Sequence, residues 1–270
     1  MRLYTVGLGR NGRKHMTILV LTLSLLAGSC NTMAQLPATL QAGFQAQRSY
    51  EAGLEQYNAK EYAGAIQHFR LALDLEPTLD EAAAYLAWSL YYTAEYAEAT
   101  RHFRQALLRQ PRWEGLHNGL GWSRYRAGRY HIALEAFQQA LALDPGYRDA
   151  AVGLAYGLFE LGRYAEALPH LERLTREGEG SASQRPPPDL ENVRSRYAWA
   201  LLYVGDFERA RSQFAKGITV RPDWYGLYNG LGWTYLQLGD RSRARQSFQR
   251  ALQLKPDLAD AQEGLKLAGR

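Results

Sequence analysis

The sequence predicts an all-α solenoid, in which short helices stack along the chain. Three observations carry this prediction: a 34-residue period, two helical stretches in each period, and a proline that closes most periods. The chain has 270 residues, of which 46% are apolar and 22% are charged. This ordinary globular composition excludes collagen-like, coiled-coil and wholly disordered classes, and the single cysteine excludes a disulfide framework and a cysteine-rich zinc ribbon.

The 34-residue period is visible in four residue types. The residues that recur at this spacing are Tyr62, Tyr96, Tyr130 and Tyr164; Ala65, Ala99, Ala133 and Ala167; Phe69, Phe103 and Phe137; and Pro77, Pro111 and Pro145. The frame then slips by nine residues and resumes at Phe207, Ala210, Phe214 and Pro222. The predicted units are 46–79, 80–113, 114–147, 148–181, 191–224 and 225–258, with 259–270 as a partial seventh unit.

Each unit is predicted to form two helices. In the third unit the first helix ends at Gly128, and the second helix stops before Pro145, whose ring cannot continue a helix. Small residues such as Gly121 and Ala133 stand where the two helices approach closely, and Phe137 fills the space between them. A single helix pair cannot bury its apolar face alone, so neighbouring units share one core.

At these residues the chain resembles the tetratricopeptide repeat (TPR) family. The third unit carries the family pattern as Leu120-Gly121, Tyr125, Gly128, Tyr130, Ala133, Phe137, Ala140 and Pro145. The resemblance covers residues 46 to about 268 and implies a right-handed α-solenoid of six TPR helix pairs with a C-terminal capping helix at 259–270. Three positions depart from the pattern, each with a local effect only: Glu179, Gly217 and Arg241.

The first thirty residues are predicted to be a signal peptide. Residues 17–29 form a short apolar run behind a positively charged start, and as a helix this run is too short to span a bilayer. Cys30 directly follows Leu26-Ala27-Gly28-Ser29, which resembles the lipobox of bacterial lipoproteins and implies lipidation of Cys30. Cleavage near Ala34, leaving a soluble periplasmic protein, and an uncleaved anchor are the alternatives.

A polar, proline-rich segment separates two blocks of units. Glu177 to Asp189 has the composition of an exposed linker. A second period, of 111 residues, relates the two blocks: Trp113–Trp122 matches Trp224–Trp233 in eight of ten places. The predicted division is a signal peptide at 1–30, a tether at 31–45, units one to four at 46–177, a linker at 178–190, units five and six at 191–258 and the cap at 259–270.

All six tryptophans occupy two positions of the unit, the ninth and the last. In TPR proteins the stripe that contains the ninth position faces a concave groove where extended peptides dock, so the resemblance implies an aromatic groove here. An asparagine amide both donates and accepts, which suits a peptide bond or a sugar hydroxyl. The alternative is that the indoles only pack against the next unit. The predicted groove residues are Trp88, Tyr92, Trp113, Asn118, Trp122, Tyr156, Trp199, Tyr203, Trp224, Asn229 and Trp233.

The sequence gives little indication of catalysis, metal binding or nucleic-acid binding. The formal net charge is +5, but residues 1–30 hold four cations and no acidic residue, so the remainder carries only +1 and offers no dense cationic face for nucleic acid. The glycine motif at 7–12 lies in the predicted signal peptide, and His68, His102 and His170 repeat one slot of separate units. We therefore expect no catalytic residue, cofactor, metal site or nucleic-acid partner.

The expected function is that of a non-catalytic scaffold or adaptor of the bacterial cell envelope, which binds a protein or peptide segment in the aromatic groove. The rival function is that of a glycan-binding component of an envelope polysaccharide assembly or secretion system, because aromatic faces and amides also suit sugars. Self-assembly through stacked ends is a third possibility. The expected location is the periplasm, with a lipid anchor at Cys30 in the outer membrane; the sequence predicts no oligomeric state.

Overall fold

The computed structural model describes residues 37–179 and 187–269, and within these ranges every regular element is an α-helix. The predicted signal peptide, Cys30 and residues 180–186 of the predicted linker lie outside the described residues. The helices are α1 (Ala38–Asn58), α2 (Tyr62–Leu75), α3 (Asp80–Tyr92), α4 (Tyr96–Arg109), α5 (Glu114–Arg126), α6 (Tyr130–Leu143), α7 (Arg148–Glu160), α8 (Tyr164–Glu179), α9 (Leu190–Val204), α10 (Phe207–Val220), α11 (Tyr225–Gln237), α12 (Arg241–Leu254) and α13 (Ala259–Gly269).

Consecutive helices pack against each other from α1 to α6 and again from α8 to α13, as expected for stacked helix pairs. The predicted all-α repeat fold is confirmed: each 34-residue unit contributes two helices, and α13 follows the last unit as an additional helix. Among the described residues, no helix combines the length and apolarity that crossing a bilayer would need.

The chain divides into two compact units, which meet in sequence at Ala150 and Ala151. We call the described residues 37–150 the N-terminal unit, and 151–179 with 187–269 the C-terminal unit. This division lies upstream of the linker predicted at 178–190, of which α8 occupies the first two residues. The domain boundaries drawn from the sequence therefore stay a prediction.

The first described helix extends into the predicted tether at 31–45. Helix α1 begins at Ala38, directly after Pro37, so residues 38–45 are helical. The segment Ala-Thr-Leu-Gln-Ala-Gly-Phe-Gln is rich in helix-forming residues, and a proline immediately before a helix is compatible with its start. The 34-residue period does not predict this extension, because the extension lies before the first residue of the first unit.

Phenylalanine and glycine build the core in the same way in both units. The Phe137 ring is fully buried against Gly121, where a Cβ atom would lie 2.6 Å from the ring. The equivalent Phe248 ring packs against Gly232, where a Cβ atom would lie 2.7 Å from it. Any side chain at these glycines would overlap the ring, so the close helix approach predicted from Gly121 is confirmed.

The turn between the two helices of a unit uses a left-handed residue at the fifteenth position. Glycine occupies this position in four units, for example Gly205 with φ 88°. Lys60 and Ala94 occupy it in the first two units with φ values of 65° and 67°. Glycine adopts this conformation without the steric cost that a Cβ atom imposes.

Candidate ligand-binding site

The four tryptophans at the ninth position of a unit make one shared contact. Each indole meets, edge to face, the buried phenylalanine on the second helix of its own unit, with ring centroids 5.2–5.5 Å apart and interplanar angles of 74–83°. These pairs are Trp88–Phe103, Trp122–Phe137, Trp199–Phe214 and Trp233–Phe248. This geometry is favoured for aromatic pairs, so one side of each indole belongs to the core.

An aspartate joins the predicted Asn–Trp pair in the N-terminal unit. One carboxylate oxygen of Asp149, Oδ2, accepts a hydrogen bond from Asn118 Nδ2 at 2.7 Å and another from Trp122 Nε1 at 2.9 Å. Asp149 lies in the first turn of α7, where the helix dipole stabilises a negative charge. The aspartate thereby fixes the indole of one repeat to the first helix of the next.

The C-terminal unit repeats this arrangement. Asp260 Oδ2 accepts from Asn229 Nδ2 at 2.6 Å and from Trp233 Nε1 at 2.9 Å. Asp260 lies in the first turn of α13 and stands 111 residues after Asp149, so the aspartate belongs to the duplicated pattern. Both aspartates lie outside the matching segments Trp113–Trp122 and Trp224–Trp233, so only an extension of the 111-residue period beyond these segments predicts them.

The two predicted groove asparagines are buried. Asn118 is 1% exposed and Asn229 is 5% exposed, and both amides donate to an aspartate. These contacts favour a packing role for both amides, and the prediction that they hold the backbone of a docked peptide stays a prediction. A buried amide needs a hydrogen-bond partner, and the following repeat supplies it.

Two further predicted groove residues are also buried. Trp88 is 8% exposed and Tyr156 is 9% exposed, so neither offers a face to a ligand. Trp88 lies in the core of the N-terminal unit, and the Tyr156 ring is covered by the guanidinium of Arg196, 3.9 Å from its centroid. For Trp88, the packing alternative raised by the sequence accounts for the side chain.

Trp113 and Trp224 lie at the helix starts. Each is the residue directly before its helix, α5 or α11, and its indole nitrogen would stand 3.1–3.2 Å from a Cβ atom placed on the glycine two residues later. Both side chains are half-buried. The Arg221 guanidinium also lies 5.3 Å from the Trp224 ring. These two indoles cover helix N-termini, while the nine other predicted groove residues lie within helices.

Three of the predicted groove residues come together around an open cleft in the C-terminal unit. The cleft has a volume of about 490 Å³ and lies among α9, the start of α10, α11 and α13. Trp199 and Trp233 are half-buried, and Tyr203 is 54% exposed. The residues that line it are Trp199, Leu202, Tyr203, Val204, Gly205, Phe207, Trp233, Gln237 and Asp260. We call this the C-terminal cleft.

Stacking holds the most exposed ring of the C-terminal cleft in place. Tyr203 stacks on Tyr164 with centroids 4.4 Å apart and on Trp199 at 5.7 Å. Burial raises the pKa of the Tyr203 hydroxyl, with smaller contributions from Tyr164 and Asp260, so the phenol is neutral at physiological pH. The cleft thus combines rigid aromatic faces with one carboxylate.

The same positions of the N-terminal unit carry larger side chains. Tyr91 stands where the cleft has Leu202, Tyr96 where it has Phe207, and Arg126 where it has Gln237. Tyr91 contacts Trp88, Tyr92 and Tyr96 with ring centroids 5.3–5.8 Å apart. The predicted groove residue Tyr92 is half-buried and stacks on Tyr62 at 4.5 Å.

Electrostatics in the N-terminal unit reflect this closer packing. Burial raises the pKa of Tyr91 to about 12, an effect that the charge of Arg126 opposes and that of Asp149 reinforces. The Arg126 guanidinium lies 5.3 Å from the Tyr96 ring centroid. A cation and an anion of the chain itself therefore act on Tyr91 within an aromatic cluster.

Within the described ranges, no three histidine, cysteine or acidic side chains stand close enough to hold a metal ion. The chemistry that the C-terminal cleft offers is recognition: stacking on indole and phenol faces, apolar contact, and a carboxylate that accepts hydrogen bonds or pairs with a cation.

Comparison with known proteins agrees with the fold. Residues 118–182 and 197–259 match the family described as tetratricopeptide repeat. No curated protein matches the chain in sequence. The solved structure of YrrB, a TPR protein with an unusual peptide-binding site, matches with 22% identity and a TM-score of 0.63, over 73% of this chain and 97% of that one.

Two further structures agree. A tetratricopeptide repeat protein from Parabacteroides merdae ATCC 43184 matches with 15% identity and a TM-score of 0.59, over 84% of this chain and 100% of that one. MamA from Desulfovibrio magneticus RS-1 matches with 16% identity and a TM-score of 0.59, over 67% of this chain and 97% of that one. Two segments of the chain therefore match the tetratricopeptide repeat family, and the chain shares the fold of these tetratricopeptide-repeat structures.

Proposed function

We propose that this protein is a non-catalytic scaffold of the bacterial cell envelope that binds a peptide segment of a partner protein in the C-terminal cleft. One observation carries the proposal: Trp199, Tyr203 and Trp233 line an open cleft of about 490 Å³. Partly exposed aromatic side chains around a concavity are typical of binding sites, since monomeric proteins seldom leave such surface open to water.

A peptide fits this cleft better than a small metabolite does. The aromatic faces offer apolar and stacking contacts to side chains, and the cleft is open along the surface of α9 and α11. The structural likeness to YrrB, a TPR protein with a peptide-binding site, adds support by analogy of fold. The signal-like residues 1–30 support export, with lipidation of Cys30 as the proposed anchor.

Site-specific cross-linking in intact cells tests the proposal. A photo-reactive phenylalanine analogue replaces Tyr203 in one variant and Tyr92, its equivalent in the N-terminal unit, in a matched control. We expect a protein adduct from position 203 and none from position 92, because only Tyr203 is largely exposed beside the cleft. Mass spectrometry then identifies the partner.

A second variant separates binding from folding. Trp233→Ala removes one wall of the cleft, and we expect it to abolish the adduct at position 203 while the helical circular-dichroism signal stays near that of the parent. Trp122→Ala is the matched control, since it removes the same packing from the N-terminal unit. Labelling by a glycan probe, with no protein adduct, would instead favour the rival function as a glycan-binding component.

The proposed anchor has its own test. Cys30→Ser should abolish incorporation of radiolabelled palmitate and release the protein from the membrane fraction, because the thiol is the site of acylation. Unchanged membrane association without label would contradict lipidation and favour an uncleaved anchor. Release of the parent protein into the soluble periplasmic fraction would favour cleavage near Ala34.

A further inference from the structure

We infer that the C-terminal cleft binds an arginine side chain of the partner peptide, between the aromatic rings and the Asp260 carboxylate. This inference rests on the proposed function and adds the chemistry of the ligand. Two observations carry it: the charge of the cleft, and the way in which the N-terminal unit fills the equivalent positions.

The charge of the cleft is the first observation. Of the residues that line it, Asp260 is the only one with a formal charge at neutral pH, and that charge is negative. Asp260 is solvent-exposed, and the two hydrogen bonds that fix it use one oxygen, Oδ2. Because an ionised carboxylate offers about four acceptor positions, the group keeps capacity for a further donor.

The aromatic faces complement this carboxylate. Trp199, Tyr203 and Trp233 lie around the cleft, and the negative face of an aromatic ring attracts a cation placed over it. A guanidinium suits such a site better than an ammonium, since it is planar, can stack on a ring and donates through several N–H groups at once. The stacking of Tyr203 on Tyr164 and on Trp199 sets this surface before a ligand arrives.

The second observation is that the N-terminal unit places its own arginine at the equivalent position. Arg126 occupies the position of Gln237, and its guanidinium lies 5.3 Å from the ring of Tyr96. Its charge and that of Asp149, the equivalent of Asp260, both act on Tyr91. The duplication therefore places a guanidinium near an aromatic ring at the position that Gln237 occupies in the C-terminal unit.

In the C-terminal unit that arginine is replaced and the space is open. Gln237 carries no charge, Leu202 replaces a tyrosine, and the cleft of about 490 Å³ lies beside them. An arginine supplied by a partner would restore the combination of cation, aromatic face and carboxylate found in the N-terminal unit. The volume also accommodates part of the peptide on either side of that arginine.

A minimal peptide tests the inference directly. The probe is acetyl-Gly-Arg-Gly-amide, titrated into the full chain in mild detergent while the indole N–H signals of Trp199 and Trp233 are followed by NMR. We expect saturable shifts of these two signals. The citrulline peptide, which has nearly the same shape and no charge, should bind about tenfold more weakly or not measurably, and the lysine peptide should lie between them.

Two variants test the site. Asp260→Asn removes the charge but retains an oxygen that can accept from Asn229 and Trp233, and we expect it to weaken arginine-peptide binding about tenfold. Gln237→Arg places a guanidinium where the N-terminal unit has Arg126, and we expect it to abolish binding by occupying the cleft. Asp149→Asn is the matched control and should leave peptide affinity unchanged. Gln237 is exposed, so its substitution does not endanger the fold.

The outcomes separate the two proposals. Equal affinity for the arginine and citrulline peptides, or no effect of Asp260→Asn, overturns the inference about arginine. If a protein adduct still forms at position 203 and disappears with Trp233→Ala, the proposed function stands and the ligand is an uncharged segment. If neither peptide shifts the indole signals and no adduct forms, both proposals are wrong.

Discussion

The two copies related by the 111-residue period share their packing and differ in their surface. Both keep the buried phenylalanines, the glycines facing them and the Asn–Trp–Asp hydrogen bonds. The N-terminal copy carries Tyr91 and Arg126 at two positions where the C-terminal copy has the buried Leu202 and the exposed Gln237, both of which line the open cleft. A duplicated segment can therefore retain the residues that define the fold while a few exchanges change the side chains around the equivalent positions.

The largest predicted effect concerns what the copies share. Phe137→Ala and Phe248→Ala each remove a fully buried ring, so each should lower the free energy of unfolding by about 3–5 kcal/mol. Urea denaturation followed by circular dichroism gives the two values. If only one of the two substitutions lowers the free energy of unfolding, the duplicated cores are not energetically equivalent, and the two copies do not share their packing as we infer.

The stability of the two copies should respond differently to alkaline pH. Burial raises the pKa of both Tyr91 and Tyr92 to about 12, above the value of about 10 in the unfolded chain. Above pH 10 the unfolded state thus binds fewer protons than the folded state, so the stability present below pH 10 falls as the pH rises towards 12. Each tyrosine contributes a slope of up to about 1.4 kcal/mol per pH unit.

Denaturation between pH 8 and 11.5 measures this slope. Tyr91→Phe should make the dependence of the free energy of unfolding on pH less steep, because phenylalanine does not ionise. Leu202→Phe in the C-terminal copy is the control, since neither leucine nor phenylalanine titrates. An unchanged slope in Tyr91→Phe would mean that this phenol does not stabilise the N-terminal unit through its neutral form.

The smallest predicted effect uses the turn between the paired helices. Ala94 has φ 67° where the C-terminal copy has Gly205 with φ 88°. Ala94→Gly should stabilise the protein by about 1 kcal/mol, and Gly205→Ala should destabilise it by a similar amount, because a Cβ atom is strained in the left-handed region. Thermal denaturation should show a higher melting temperature for Ala94→Gly and a lower one for Gly205→Ala. If both substitutions shift the melting temperature in the same direction, the two turns do not share their geometry.

Sequence periodicity was sufficient for the fold. The 34-residue spacing gave the helix pairs, and the requirement that Phe137 face a small residue at Gly121 followed from close helix packing. The start of α1 at Ala38 was missed, since residues before the first full repeat have no partner in the alignment.

The candidate site was only partly predictable. The helical stripe groups Trp199, Tyr203 and Trp233, and these three side chains line one cleft in the structure. The stripe does not predict that the amides of Asn118 and Asn229 donate hydrogen bonds to Asp149 and Asp260. Those hydrogen bonds join residues that lie 31 positions apart, in different repeats. Nor could periodicity distinguish the buried Trp88 from the half-buried Trp199, since their exposure depends on the neighbours that differ between the copies.

Helix α13 supplies Asp260, and this gives the final eleven-residue helix a second role. A helix that only shields the end of a stack could be exchanged for any other polar helix. Here, loss of the last dozen residues by a premature stop codon or by proteolysis would leave Asn229 and the indole of Trp233 without their acceptor and would remove the negative wall of the cleft. The same short helix therefore packs on α11 and α12 and supplies the carboxylate of the proposed binding site.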